Sequence, residues 1–439
     1  MPSINRLVLR VAGLACDIFY RRSRLGGEVP ATGPVLLVAN HPNGLVDPVL
    51  LALTTGRPVR FLGKAPLFEL PVLGGILRGM RALPVYRAKD GADTADNERT
   101  FEAVFAALRG GDVVALFPEG HSHSEPRLDR LKTGAARMAL GAEASAEFAL
   151  GVRIVPVGLH FRRKRRFRSR VACWVGDPID TGAFRVEHDQ DDREAVRSLT
   201  ARIAEGLHGV TLNLDRWEEL PLLELAERIW RPGEGRRVER MRGLAEAVAE
   251  LRATRPDALR ELASDVAAFA ERLRRLGVSP DDLAVSYTPA LVLSFVARTL
   301  FALVLGLPLA FLGSALWWLP YRLSPVLARL GGPTPETLVT HIVLAGLVLF
   351  PAWYFLLIGA AALAAGAGWA LAAAVLGPLL GAFALAYRDR WEQARGDLAV
   401  FFRLGRRSGL KARLLQQRDA LAERIEELSR TLGANANFS

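Results

Sequence analysis

The chain has 439 residues, 50% of them hydrophobic and 23% charged, with a formal net charge of +11. That length implies two or three domains rather than one core, and the positive charge points to polyanionic partners, nucleic acid or anionic lipid. With Cys16 and Cys173 as its two cysteines, the chain has neither a disulfide framework nor a cysteine-based metal centre.

The N-terminal stretch, residues 1–29, is apolar and then arginine-rich, without the small-residue cleavage site of a signal peptide. Leu7, Leu9, Val11, Leu14 and Ile18 stand there among Arg6, Arg10 and Asp17. We read it as a helix lying on the cytoplasmic leaflet of a membrane, with an ordinary first core helix as the competing reading.

From residue 30 the pattern becomes α/β. The run "PVLLVAN" (34–40) is short, apolar and bounded by Pro and Asn, as a central buried strand is. The runs "PVRFLGK" (58–64), "RALPVYR" (81–87), "DVVALFPEG", "VRIVPVGLHF" and "RVACWVGDPI" read as further strands. "ADNERTFEAVFAALRGGD" has a helical apolar face of Phe101, Val104, Phe105 and Leu108 and stops at Gly110-Gly111; "KTGAARMALGAEA" is also helical. Strands alternating with helices predict a mainly parallel, helix-flanked sheet over residues 30–215.

Residues 216–287 predict an amphipathic, Arg/Glu-laced helical linker domain broken at "RPGEGRR". Residues 288–387 are almost bare of charge. The stretch 338–387 is too long for one crossing, since about 20 residues span the hydrocarbon, and a Gly/Ala-rich hinge near 360–368 divides it into a spanning hairpin. Residues 288–319 are expected to form a re-entrant hairpin bent at Pro308. An even number of crossings keeps the basic tail, 388–439, on the same cytoplasmic face as the α/β domain. These features place the chain in a membrane, and its arginine- and alanine-rich usage points to a bacterial inner membrane.

The sharpest chemical signal is "VANHPNGLVDP" (38–48). It places His41 directly after a buried strand, where α/β proteins gather ligands. An imidazole that deprotonates a hydroxyl must be neutral and aimed, and a carboxylate on its other nitrogen fixes the tautomer and stabilises the imidazolium. Asp47 is that carboxylate. Its offset from His41 needs a loop, which Pro42-Asn43-Gly44 supplies. The motif has no serine or cysteine nucleophile, so direct transfer is expected.

A second signal, "LFPEGHSHSEPRLDRLKTGAARMAL" (116–140), brings Glu119 and Gly120 out of a buried strand into a loop able to bind a polar head group or an oxyanion. His121 and His123 with Glu119 and Glu125 match no closed zinc pattern, so no metal is expected. A third signal sets Arg78, Arg81 and Arg87 around a strand end, and arginine suits bidentate phosphate binding. Arg87 is the preferred phosphate ligand, and Lys64 occupies the same end of the preceding strand. Pro156, in "VPVGLHF", reads as an edge or turn device.

In this order and spacing, the four blocks resemble the glycerolipid acyltransferase family, over roughly residues 30–185. The family's first motif commonly has four residues between its His and Asp; here five intervene, Pro42 to Val46. That version, followed by "LPVYRAKD" and "FPEGHSHSEPRLDRLKTGAARMAL", is similar to fungal glycerol-3-phosphate/dihydroxyacetone-phosphate acyltransferases, which also carry apolar segments after the catalytic domain. The resemblance implies that His41 is the general base, with Asp47 as its partner. It implies that Arg87 holds the acceptor phosphate, with Lys64 as a further candidate. Glu119 and Gly120 would shape the acceptor site, and Ser122 would add a hydroxyl.

The expected reaction is therefore fatty acyl transfer from a thioester, acyl-CoA or acyl carrier protein, to glycerol-3-phosphate. Lysophosphatidate or another lysophospholipid is the alternative acceptor, and no cofactor is expected beyond the thioester co-substrate. A lipid hydrolase is disfavoured by the missing G-x-S-x-G elbow. A non-catalytic scaffold is the remaining competitor. The basic runs "RRKRRFRSR" and "RPGEGRRVERMR" contain few interleaved aromatics, so anionic membrane lipids rather than nucleic acid are the expected polyanion.

Overall fold

The computed structural model describes residues 2–69, 71–86, 97–212, 219–230, 237–278, 280–283, 289–404 and 408–431. It divides into two compact units, residues 1–215 with 332–343, and residues 216–331 with 344–439.

The first unit is the α/β domain. In chain order its elements are α1 (Pro2–Phe19), β1 (Tyr20–Gly26), β2 (Val35–Ala39), α2 (Val46–Thr55), β3 (Val59–Lys64), α3 (Pro71–Gly79), β4 (Leu83–Val85), α4 (Asn97–Arg109) and β5 (Val113–Leu116). There follow α5 (Gly134–Ala144), β6 (Arg153–Phe161), β7 (Ser169–Val175), β8 (Ile179–Asp180), α6 (Arg185–Gln190) and α7 (Asp192–His208). The strands form one sheet in the order β1-β7-β6-β2-β5-β3-β4, with β8 also on β6. All pairings are parallel except those of β6 with β7 and β8. This is the expected mainly parallel sheet flanked by helices.

The apolar runs explain the order. β2 is buried at every position and β5 likewise, as strands covered on both faces must be. Pro156 lies inside β6 rather than at an edge of the sheet. It falls between the residues that pair with β8 (Arg153 and Ile154) and those that pair with β7 (Val157 to Phe161), where its missing N–H costs no ladder bond.

Two boundaries differ from the sequence reading. Residues 20–26, inside the expected N-terminal interfacial segment, form edge strand β1 parallel to β7. Helix α1 packs on α2 at Gly13, beside Leu53, and buries Cys16 in the core, yet leaves Leu7, Val11, Leu14 and Ile18 exposed in a stripe. It is a core helix on one face and an apolar outer helix on the other. Residues 332–343, expected as linker and start of the membrane hairpin, belong to this α/β unit, and Val339 is fully buried in its core. Composition cannot reveal this: an apolar residue near a membrane helix reads as lipid-facing until its contacts are known.

The second unit is helical: α8 (Glu219–Trp230), α9 (Arg237–Thr254), α10 (Pro256–Leu276), α11 (Pro280–Leu283), α12 (Pro289–Leu316) and α13 (Trp318–Leu330). Most of α14 (Leu338–Ala365), then α15 (Ala367–Leu404) and α16 (Ser408–Thr431), complete it. Arg240 pairs with Glu227 at 2.8 Å in a buried contact between α9 and α8, and Arg424 ties α16 to Asp265 of α10. Residues 231–236, most of the expected break, lie outside the described residues.

Helices α14 and α15 are long and apolar enough to cross a membrane. They break at Gly366, whose φ is +87°, within the expected Gly/Ala hinge. The expected re-entrant hairpin at 288–319 is not formed. Helix α12 runs unbroken through Pro308, as apolar helices can when neighbours satisfy the freed backbone. The bend, 41°, comes instead at Trp317, between α12 and α13. Helix α12 lies against α15 through small residues: a Cβ at Gly313 would stand 2.2 Å from the Leu380 carbonyl oxygen. The Trp317 indole donates to the Gly377 carbonyl at 2.9 Å.

Candidate active site

Strands β2 and β5 are parallel neighbours in register, Val38 opposite Leu116. Their C-terminal ends therefore deliver the His41 loop and the Glu119 loop to the same edge of the sheet, which is how two motifs far apart in sequence meet. Asn40 fixes the first loop as it leaves the sheet. Its side chain donates to the Leu159 carbonyl at 3.2 Å and accepts from the Leu159 N–H at 2.7 Å, continuing the β2–β6 ladder by one step.

Beyond Asn40 the chain turns through Pro42-Asn43-Gly44 into α2. His41 Nδ1 stands 2.8 Å from Asp47 Oδ2. The same oxygen accepts the Asn43 backbone N–H at 2.6 Å. An ionised Asp47 accepts a hydrogen bond from a proton at Nδ1, which leaves Nε2 as the ring nitrogen not engaged by the carboxylate. The Asp47 side chain is wholly enclosed, while 19% of the His41 side chain is exposed, so the imidazole can meet a substrate and the carboxylate cannot. Phe117 stacks on the ring at 3.9 Å between centroids. Burial pushes the Asp47 carboxyl above its ordinary value; the hydrogen bond and charge of His41, the Asn43 amide and the Lys164 charge pull the other way. Among the described residues its Oδ1 meets no donor, which is why burial prevails.

Glu119 is buried, and its carboxylate is spent on the protein. Oε1 accepts the His41 backbone N–H at 3.2 Å, and Oε2 accepts from the His123 ring and from the Asp129 N–H at 2.8 Å. The Glu119 contact raises the His123 pKa, against the effect of burial. Ser122 Oγ donates to the His41 carbonyl at 2.8 Å and accepts the Gly44 N–H at 3.3 Å. Glu119 and Ser122 thus hold the His41 loop. Gly120 has φ +75°, and a Cβ there would come within 2.6 Å of Lys132 Nζ. Lys64 is exposed at the end of β3, opposite Val85 of β4. Arg87 lies outside the described residues.

Several positions that hold the loop carry no signal in a linear reading. Tyr20 accepts from Asn43 Nδ2 at 3.0 Å and donates to the Lys164 carbonyl. Lys164, from a run read only as surface charge, donates to the Pro42 carbonyl at 3.0 Å. Burial drives the His160 pKa down to about 4, leaving a neutral ring that bonds the Val210 carbonyl. Cys16 and Cys173 are buried free thiols whose pKa values burial raises to about 12 and about 11, so both are inert. A cleft beside edge strand β1 is lined by Arg21, Arg22, Arg24 and Arg168 together with Asp17, which pairs with Arg22 at 2.8 Å.

Residues 23–160 match the family model described as Acyltransferase. The α/β unit carries an acyltransferase-family domain. Over 183 residues this chain is 34% identical to glycerol-3-phosphate O-acyltransferase 2 of Saccharomyces cerevisiae, covering 39% of this chain and 24% of that protein. It is 32% identical over 142 residues to glycerol-3-phosphate O-acyltransferase 1 of the same yeast, covering 32% of this chain and 19% of that protein. It is 29% identical over 202 residues to the lyso-ornithine lipid O-acyltransferase of Rhizobium meliloti, covering 42% of this chain and 64% of that protein. The chain thus spans a quarter or less of the length of these two yeast relatives. The acyltransferase match takes in the His41 and Glu119 loops together, and stops well short of residues 332–343.

Proposed function

We propose that this chain is an O-acyltransferase of phospholipid synthesis, moving a fatty acyl group from a thioester to a hydroxyl of glycerol-3-phosphate. The observation that carries this reading is the 2.8 Å contact between His41 Nδ1 and the enclosed Asp47 carboxylate, within an acyltransferase-family domain. His41 Nε2 takes the acceptor hydroxyl proton as its oxygen bonds to the thioester carbonyl carbon. The tetrahedral intermediate then expels the thiolate, which recovers the proton from His41. A thioester is already activated, so base, orientation and charge stabilisation suffice, and no cofactor is needed beyond the donor.

The names of the two yeast relatives favour glycerol-3-phosphate as acceptor. Arg87 and the exposed Lys64 are the proposed ligands of its phosphate, and the loop holding Glu119, Gly120 and Ser122 borders its site. The arginine-lined cleft at β1 and the basic run 162–170 favour anionic membrane lipids, rather than nucleic acid, as the surface met by the +11 chain. The arginine distribution favours a cytoplasmic catalytic domain in a bacterial inner membrane.

The test supplies purified full-length protein with labelled acyl-CoA or acyl carrier protein, and either glycerol-3-phosphate or lysophosphatidate. Acyl ester is expected on glycerol-3-phosphate. Product on lysophosphatidate alone moves the assignment to that acceptor, and thioester loss that ignores both acceptors indicates a hydrolase. His41→Ala is expected to lower turnover by about 10²–10⁴-fold while membrane binding persists; unchanged turnover excludes His41 as the base.

A further inference from the structure

Helix α2 begins without a side-chain cap. Leu45, at its N-cap, has no polar side chain, yet the first N–H groups of a helix need acceptors. The N–H groups of Val46 and Asp47 turn to the carbonyls of Asn43 and Gly44, and that of Asn43 goes to Asp47. The Leu45 N–H goes to Thr340 Oγ1 at 3.1 Å, from a residue 295 positions further along the chain.

Thr340 is buried in the first turn of α14, and its neighbour Val339 is wholly buried in the same core as Val46 and Leu50. Glu336, one turn earlier, accepts from Ser124 Oγ at 2.7 Å. Lys164 joins the cluster by donating to Ser124 Oγ and to the Pro42 carbonyl. Gly44 has φ +54°, and a Cβ there would lie 2.9 Å from Thr340 Oγ1 and 3.3 Å from the Glu336 carbonyl oxygen. The contacts fall on residues 42, 44 and 45, the turn that separates His41 from Asp47. A turn of this kind carries no ladder of its own, so its geometry is set by what is tied to it.

We infer that Thr340 and Glu336 are positioning residues for the His41–Asp47 dyad, and that segment 332–343, outside the acyltransferase match, completes the active site by pinning the turn between them. This rests on the dyad acting as proposed above. Thr340 acts by accepting the Leu45 N–H, and Glu336 by holding Ser124 and, through it, Lys164. Neither is asked to touch substrate.

The experiment uses full-length protein carrying Thr340→Val, Thr340→Ser or Glu336→Ala. It measures kcat and KM for donor and acceptor, the thermal midpoint, and the rate at which diethyl pyrocarbonate labels His41, read by peptide mass spectrometry. Thr340→Val keeps the shape and removes the acceptor. It is expected to lose about ten- to hundredfold in kcat, with KM held within about twofold and the His41 labelling rate changed. Thr340→Ser keeps the oxygen and is expected to restore both. Glu336→Ala is expected to give a smaller loss of the same kind, and it decides the matter if Thr340→Val does not fold. Wild-type kcat and labelling in the folded variants overturn the inference. If the wild-type chain turns over no acceptor while Thr340→Val still alters His41 labelling, the acyl-transfer reading falls and the positioning role stands.

Discussion

At the residue scale the site is two side chains with opposite surroundings. His41 reaches the surface; Asp47 is sealed behind it, its charge opposed by burial and sustained by His41 and the Asn43 amide. This gives Asp47→Asn a double signature. An amide in its place loses the charge that stabilises imidazolium, and its NH2, where it faces Nδ1, donates and selects the wrong tautomer, so kcat is expected to fall by about 10²–10⁴-fold. The other half lies in how stability depends on pH. A carboxyl whose folded pKa is raised holds its proton more firmly in the folded state, so stability declines as pH rises from the unfolded carboxyl value through the folded one. The wild-type thermal midpoint should therefore fall across that window more steeply than that of Asp47→Asn, which has no carboxyl to titrate there. Parallel melts from pH 4 to 8 check this; equal slopes for the two proteins contradict the burial argument.

At the element scale, strand ends and close helix contacts carry the arrangement. Register between β2 and β5 brings the His41 and Glu119 loops together, and the Glu119 carboxylate then binds the first loop by the His41 N–H. In the second unit, α12 and α15 approach closely at Gly313, where a Cβ would meet a backbone oxygen that cannot swing aside. Gly313→Ala is expected to cost about 1–3 kcal/mol of stability through overpacking, read as a lower thermal midpoint in detergent. An unchanged midpoint indicates that the two helices separate without penalty.

At the scale of the whole molecule, residues of the C-terminal half complete the α/β core. Val339 is buried there, and Ile342 and Val343 pack against it. A chain ending at Asp215 lacks all three, leaving the apolar positions they cover exposed to water. It is expected to melt below the full-length domain and to lose turnover, in a comparison of the fragment with the fragment plus a linked 332–343 segment. Two helices long and apolar enough to cross a membrane predict a second behaviour. Detergent should extract the protein from membranes, whereas alkaline carbonate or high salt should leave it behind; release by salt alone indicates attachment by charge only.

Much of this organisation is written locally in the chain. Strand runs such as "PVLLVAN", the helix stop at Gly110-Gly111, the break near residue 366 and the loop needed between His41 and Asp47 follow from side-chain periodicity and turn chemistry, which act over a few residues. Other features arise from contacts between distant segments. Tyr20, Lys164, Glu336 and Thr340 converge on the His41 turn, Glu119 spends its carboxylate on the neighbouring loop, Pro308 stays inside an unbroken helix, and β1 joins the sheet. A hydrogen bond spanning 295 residues leaves no periodic trace. The burial that raises the Asp47 pKa is likewise a property of the packed interior, which no stretch of sequence contains alone.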